Sequence, residues 1–450
     1  MSAPLWNGHQ PRMGKLALSL NHMNFAWRIE FNLLRCNGFH NIVYSFYGSG
    51  VFMKPILIAG AGPVGCTTAL YLAQRNIPVI LIEAESELPK DLRASTFHPP
   101  TLDMLSKLGI VDEMLEIGLK VTNYQHRDRR TNEIAKFELS LLEGETEHPY
   151  RLQCEQYKMT GIVVEKLKAF PHAEIRFGCC ISGYRETANG VEALVFKDGQ
   201  EERMKCSFLV GADGSNSVVR KSSGTMFEGM TYPENFFVAS TTYRFENYFE
   251  DLSLVNYVSD PDEWCVLLAT TGFWRVLIPM PIGLGNAVPL TDDFIQARLH
   301  RLAENSGDFD IIHKTLYRVH QRVAETYRVG ARVILAGDAA HVNNPIGGMG
   351  MNGGIHDAFN IAEKLALIVE TDADFNTLLD IYDRQRRIIC KRFIQAHTMK
   401  NKRLMEATDK QAQKARQVHL MRACKDPALA KTFLMESSMI NCVRDSYEIT

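Results

Sequence analysis

The first well-bounded apolar run after Met53, Ile56 to Ala59, enters Gly60-Ala61-Gly62-Pro63-Val64-Gly65. Thr67 to Gln74 then carries helical spacing before a second apolar run at Val79 to Ile82. Four-residue apolar runs bounded by glycine read as buried strands, so this order predicts a βαβ opening. The same signal returns twice. Phe208-Leu209-Val210 ends in Gly211-Ala212-Asp213-Gly214, and Val333-Ile334-Leu335-Ala336 ends in Gly337-Asp338.

Between these strands the pattern changes. Arg93 to Pro100 reads as a loop with paired prolines, and Leu102, Leu105, Leu108, Met114 and Leu115 have the spacing of two helices broken at Gly109. Polar sequence from His126 to Glu138 predicts an exposed hairpin, Cys154 to Phe170 a helix, and Ile175 to Phe196 antiparallel strands joined around Asn189-Gly190. The aromatic-rich stretch from Phe227 to Pro281 alternates as the sheet of a second domain. Ile355, Phe359, Ala362, Leu365 and Ala366 trace one helix face, and charged helical sequence follows from about Phe375.

The expected architecture is α/β: a Rossmann-like nucleotide-binding domain with an interleaved β-sheet substrate domain and a helical C-terminus. The nucleotide domain is assigned to 53–225, with an inserted hairpin at about 121–140, and to 291–372. The substrate sheet is assigned to 226–290 and the helical region to 373–450. Residues 1–52 lack periodicity and precede a clear domain start at Lys54-Pro55, so they are expected to be an upstream extension outside the fold. Their basic residues (Arg12, Lys15, Arg28, Arg35 against Glu30) are too few for a transit peptide. A native N-terminus at Ser2 rather than Met53 would overturn that expectation.

Composition narrows the classes. A chain of 450 residues with 46% hydrophobic content suits two joined domains. Fifty basic against 52 acidic residues, well mixed, build no nucleic-acid footprint. The ten cysteines form no Cys-x-x-Cys pair, as expected of reduced thiols in a cytoplasmic protein. No apolar stretch is long enough to predict a transmembrane helix.

The first motif has a physical reading. Its glycines tighten the turn and let backbone approach a pyrophosphate, while bare N–H groups at the helix start attract phosphate. Glu83, at the end of the second strand, is placed to accept hydrogen bonds from ribose hydroxyls. Gly60, Gly62, Pro63, Val64, Gly65 and Glu83 therefore predict a dinucleotide site, without saying which dinucleotide.

With Asp213-Gly214 and Gly337-Asp338-Ala339-Ala340-His341 following in order, the chain from about Met53 to Asp372 resembles the FAD-dependent aromatic hydroxylases, the class A flavoprotein monooxygenases typified by para-hydroxybenzoate hydroxylase. The resemblance implies non-covalent FAD, with Asp338 holding a ribityl hydroxyl and the Asp213-Gly214 run serving both FAD and NAD(P)H. Arg93 and Gln156 match family positions near the flavin phosphate or ribityl side, although a loop arginine is commonly just solvated and Gln156 also suits a helix start. The turn Pro345-Ile346-Gly347-Gly348-Met349-Gly350-Met351-Asn352-Gly353-Gly354 matches the segment beside the flavin ring, where a helix dipole stabilises negative charge by ~1 to 2 kcal/mol. Met349 stands where many relatives have glutamine.

The implied activity is hydroxylation of an aromatic or phenolic small molecule with NAD(P)H and O2, through a flavin hydroperoxide. No catalytic side chain or substrate base is assigned by the sequence. Tyr232, Tyr243, Tyr257, Trp264, Phe273 and Trp274 are candidates for a substrate pocket, against the simpler account that strand aromatics pack a core. His98 and His341 lie beside cofactor motifs but lack a second ligand at metal spacing, so no metal is expected. The alternatives are a flavin halogenase or a dehydrogenase or oxidase on the same fold, and a non-catalytic flavin-binding protein. Phe273-Trp274-Arg275-Val276-Leu277-Ile278-Pro279 matches the halogenase Gly-Trp-x-Trp-x-Ile-Pro pattern only in part. The unmatched C-terminal helices suggest packing on the core or a homodimer.

Overall fold

The structure is a computed structural model that describes residues 53–450 apart from 91, 93, 261, 281–290, 305, 407–409 and the side chain of 410. The described residues belong to one compact unit, Met53–Thr450. The segment 1–52 and Arg93 lie outside the described residues.

Five parallel strands form the nucleotide-binding sheet in the order Val333–Leu335, Leu209–Gly211, Ile56–Ala59, Val79–Ile82, Ala173–Arg176. The three predicted glycine-terminated strands are adjacent in the middle and on one side of it. Their apolar runs are continuous because helices cover both faces of a parallel sheet. Pro63–Gln74 starts on its own proline, whose missing N–H costs nothing at a helix start. The paired prolines Pro99 and Pro100 do the same for Pro99–Lys107, so the predicted loop is shorter than expected and ends in a short strand, Thr96–Phe97.

The long helix Met349–Thr371 is buried on most of its circumference rather than on one face. It is sandwiched between Pro63–Gln74 on one side and the C-terminal helix Phe375–Ile389 on the other. That explains why its small residues extend round the helix.

The second sheet has eight strands, ordered His341–Val342, Ile311–Ala324, Phe227–Thr241, Phe273–Pro279, Cys265–Thr270, Val255–Ser259, Asn123–Asp128, Ile134–Glu138. Three segments assigned from sequence to the nucleotide domain are part of it: the hairpin within 121–140, Ile311–Ala324 and the short edge strand His341–Val342. The hairpin within 121–140 joins through parallel pairing of Asn256 with Gln125 and Tyr257 with His126. It is not simply exposed, because Tyr124, Ala135 and Phe137 are fully buried on one face. Ile311–Ala324 pairs along nearly the whole of Phe227–Thr241, so the substrate sheet extends beyond the expected boundary at 290. Antiparallel partners some eighty residues apart leave no local sequence signal; only the ladder reveals them.

The sheet's two faces have different neighbours. One packs Phe237, Val276, Trp274 and Phe245 under the helix Asp292–Leu302. The other packs Tyr124, Tyr232, Tyr257 and Trp264 with Ile346 of the glycine-rich turn and with Leu434 and Ile440 of the C-terminal helices.

Candidate active site

The carboxyl ends of the parallel strands bring the three motifs together. Gly60, at φ +100°, takes a conformation that L side chains rarely adopt. A Cβ there would sit 2.4 Å from the Ala212 carbonyl oxygen, so the first glycine turn lies directly on the Asp213-Gly214 turn. Val64 makes the second junction: a Cβ on Gly337 or on Gly354 would lie 2.6 or 2.8 Å from its Cγ2. The third is Arg220, whose Nη1 donates to the Ala339 carbonyl at 2.8 Å and Nη2 to Ser215 at 2.7 Å while the guanidinium covers the Phe227 ring.

Individual side chains then fall into place. Glu83 Oε2 accepts from Ala61 N at 2.7 Å and Oε1 from Glu85 N at 3.1 Å, locking the second strand end to the glycine turn. Asp213 Oδ2 accepts from Val218 and Val219 N, capping the helix Val218–Ser223. Its Oδ1 is buried without a hydrogen-bond partner among the described residues. Asp338 is the exposed middle residue of the Gly337–Ala339 turn. Gln156 is half-buried as the first residue of Gln156–Leu167, and its N–H donates to Ala94.

Two helices begin here without any side-chain cap. Gly62 precedes Pro63–Gln74, with open space within 4 Å of where its Cβ would be, and Gly348 precedes Met349–Thr371. Uncapped amide groups at two helix starts, an unpaired Asp213 oxygen and a cradle of glycine backbone suit a molecule with a pyrophosphate at one end and a polar ring at the other. These residues fit FAD.

In the turn Pro345 to Gly354, Gly347 and Gly348 have φ +102° and +66°. Asn352, expected to touch cofactor, is fully buried: its Oδ1 accepts from His98 N at 2.9 Å and its Nδ2 donates to the carbonyls of Thr96 and Gly348. Its side chain thus holds the turn against the 96–98 segment. Met349 is buried with Ile394, Met439 and Cys442, so the residue at the family's glutamine position anchors the turn to the C-terminal helices. Gly350 sits beside Asn343, and Met351 packs on the main core.

Of the aromatic candidates, Tyr232, Tyr257 and Trp264 share a cluster with Ile346. Tyr243 and Trp274 lie on the opposite face, where Trp274 Nε1 donates to Glu246 at 2.9 Å. Phe273 is half-buried at the strand end.

Several residues near the site escaped the sequence reading. His341 Nε2 lies 2.9 Å from Asp357 Oδ2, which also accepts from Gly337 N at 3.1 Å, while Arg386 Nε donates to Asp357 Oδ1 at 2.6 Å. Burial works against the Asp357 carboxylate, but Arg386 and His341 outweigh it and hold the pKa at about 2. Neither Asp357 nor Arg386 belongs to a glycine motif; an Asp eight residues into a helix and an Arg in a charged one look like surface residues. Arg151 and Tyr124 are likewise fully buried beside the turn's neighbours. Asp103, Glu147 and His148 form the one group of metal-ligand geometry found among the described residues, and it is partly exposed.

Against this geometry the comparisons with known proteins are consistent. The FAD binding domain family model matches residues 53–397. Para-nitrophenol 4-monooxygenase of Pseudomonas sp. strain WBC-3 is 32% identical over 396 residues, spanning 86% of this chain and 96% of that protein. The 6-hydroxy-3-succinoylpyridine 3-monooxygenase of Pseudomonas putida strain DSM 28022 / S16 is 32% identical over 337 residues, 74% of this chain and 84% of that one. The crystal structure of p-nitrophenol 4-monooxygenase from Pseudomonas putida DLL-E4 superposes with a TM-score of 0.80 at 29% identity, covering 86% of this chain and 98% of that one. Fold and site thus define an FAD-dependent oxidoreductase of the monooxygenase class. More narrowly, the chain belongs to the FAD-dependent aromatic hydroxylase family, with the para-hydroxybenzoate hydroxylase-like fold. No helix among the described residues is long and apolar enough to cross a membrane.

Proposed function

We propose that the protein uses NAD(P)H and O2 to hydroxylate an aromatic or phenolic small molecule. The observation that carries this reading is the convergence of the three motif turns, Gly60–Gly65, Asp213-Gly214 and Gly337-Asp338, on one end of the sheet opposite an aromatic sheet face. FAD, once bound, supplies the hydride-accepting and oxygen-activating chemistry.

The chain's own residues position, orient and exclude water. The Gly60–Gly65 turn and the start of Pro63–Gln74 hold the pyrophosphate, Glu83 the adenosine ribose, and Asp338 a ribityl hydroxyl. Asp213 and Gly214 would serve both FAD and NAD(P)H, and Gln156 the phosphate or ribityl side. The amides from Gly347 to Asn352 stabilise negative charge on the ring. Tyr232, Tyr257 and Trp264 supply flat apolar surface for an aromatic substrate near the same turn. Location in the cytoplasm and a homodimer complete the proposal.

The test is oxygen-dependent NAD(P)H oxidation by the FAD-loaded protein with and without a panel of phenols, aromatic acids and heteroaromatics, with product mass determined. Stimulated turnover with a product one oxygen heavier supports it. Failure to retain FAD, or panel-independent turnover yielding only peroxide, rejects it.

A further inference from the structure

His341 belongs to the short strand before the glycine-rich turn, and Asp357 to the helix that the turn begins. Their side chains meet inside the protein. His341 Nε2 lies 2.9 Å from Asp357 Oδ2, with the histidine 1% exposed and the aspartate 0%. The carboxylate also accepts from Gly337 N at 3.1 Å and from Arg386 Nε at 2.6 Å, so three distant parts of the chain donate to it. Asp357 is ionised and has no proton to give, which puts a proton on Nε2 of His341.

The charges in this cluster do not cancel. A guanidinium is cationic at every ordinary pH. Burial works against charge on the His341 ring, but Cys390 and Asp357 outweigh it and hold the pKa well above the usual value, so the ring is an imidazolium at neutral pH. The remaining titratable neighbours are Tyr327, whose ring is stacked on the imidazole with centroids 6.1 Å apart, and Tyr382, Cys442 and His356 around Arg386. Burial pushes both phenols up, the Cys442 thiol up to about 12 and His356 down to about 3, so all four are uncharged. Asp383 is matched by Arg387 at 2.7 Å. Two cationic side chains therefore share the single carboxylate of Asp357.

These cations lie directly behind the turns that would hold FAD. Arg386 Nη2 donates to the Gly353 carbonyl at 3.3 Å, and a Cβ on Gly353 would sit 3.4 Å from His341 Cε1. The absent side chain lets the imidazole lie against the backbone of the helix start. Asp357 itself holds the Gly337 amide of the ribityl turn. Charge buried in protein is screened far less than charge in water, so it acts on a bound ring alongside the amides of the turn.

We propose that His341 and Arg386, joined through Asp357, raise the reduction potential of bound FAD by placing buried positive charge behind the Gly337 and Gly353 turns. The step favoured is uptake of a hydride, in which FAD gains two electrons and one proton and becomes the FADH anion while the donor loses the hydride. No side chain of the cluster exchanges protons or electrons with the flavin. His341 is a positioning residue, and the inference needs bound FAD but not the hydroxylation chemistry.

The measurement is the two-electron potential of bound FAD at about pH 7, read during slow reduction by xanthine and xanthine oxidase against a reference dye. It compares the unaltered protein with His341→Gln, whose amide can still donate to Asp357 but carries no charge. At a given potential the ratio of reduced to oxidised flavin is expected to fall about tenfold in the variant, about 30 mV for a two-electron couple, with little change in the binding of oxidised FAD. His341→Lys, which restores a cation, should recover part of the shift. A merely structural part for His341 weakens oxidised and reduced FAD alike and leaves the potential in place; that result, or a rise, overturns the proposal. Should the variants fail to fold, the unaltered protein decides: a potential above that of free FAD supports the proposal, and one at or below it overturns it. Failure to retain FAD sinks this inference and the hydroxylase reading together, whereas hydroxylation with an unchanged potential in His341→Gln sinks only the role given to His341.

Discussion

Arg386 donates from Nε to Asp357 Oδ1 at 2.6 Å in a site where both residues are at most 2% exposed, and Asp357 in turn accepts the N–H of Gly337. A residue of the C-terminal helical region thereby sets the position of the turn that carries Asp338. The same guanidinium reaches Gly353 O and Ser446 Oγ, each at 3.3 Å, so the last helix of the chain is also fastened to this point.

Arg386→Met is expected to lower stability by about 3–5 kcal/mol, because it leaves a buried carboxylate with only His341 as a cationic partner. FAD retention should fall with it, since the Gly337-Asp338 turn loses its support. Urea unfolding and flavin content after gel filtration measure both; stability within about 0.5 kcal/mol of the parent would contradict the role assigned to Arg386.

Asp338→Ala should separate binding from folding. The side chain is exposed, so thermal stability of the FAD-free protein is expected to change by no more than about 0.5 kcal/mol. FAD affinity is expected to drop about 10- to 100-fold, the value of one hydrogen bond from a ribityl hydroxyl to a charged acceptor. Flavin fluorescence titration reads the affinity.

Gly354→Ala places a methyl 2.8 Å from Val64 Cγ2 and 3.2 Å from the Gly337 Cα. Overpacking of this kind costs about 1–3 kcal/mol and should push the helix Met349–Thr371 away from the first glycine turn. Adding Val64→Ala removes the nearest clash, so the double variant should recover FAD binding that Gly354→Ala loses. Equal loss in single and double variants would show that the Val64 contact does not couple these segments.

The glycine turns were legible in the sequence because each of them performs its task with backbone, and backbone demands leave glycine in a fixed place. Gly60, Gly337 and the Pro345 to Gly354 run could be read for that reason, as could the strands that end in them. Arg151, Tyr124 and Arg386 could not. Their neighbours arrive from 250 or more positions away for Arg151 with Ser437 and Tyr124 with Ser437, and an isolated arginine or tyrosine in polar sequence carries no mark of burial. The aromatic candidates were half legible: alternation locates two faces of a strand but not which face meets the flavin-side turn, and Trp274 took the other one.

Acid should destabilise the protein well before its carboxylates titrate. Burial holds His126 and His356 at a pKa of about 3, with Arg416 and Arg151 adding to the effect at His126 and Arg386 at His356, while His98 is also held well below the usual value. The unfolded chain takes up protons on these rings near pH ~6.5 that the folded chain refuses. The stability these three rings contribute is therefore full above about pH 6.5 and falls on acidification, by up to about 1.4 kcal/mol per pH unit for each ring. His341 has the opposite sign: burial disfavours its charge, Cys390 and Asp357 outweigh that, and its contribution is intact below the unfolded pKa and lost as pH rises. It does not mask the acid limb. Urea midpoints at about pH 7 and pH 5 test this, and a midpoint that stays level or rises on acidification would contradict it.

The eight-stranded sheet draws its strands from residues 123–138, 227–279, 311–324 and 341–342, four lengths of chain, with parts of the nucleotide-binding half between the first two and between the last two. Such a layer cannot be excised and exchanged as a cassette. New substrate preferences in this scaffold have to arise from point changes on strands whose partners are already fixed, and a chimera that swaps the stretch 227–279 alone would bring in strands cut to fit another protein's hairpin and another protein's return strand.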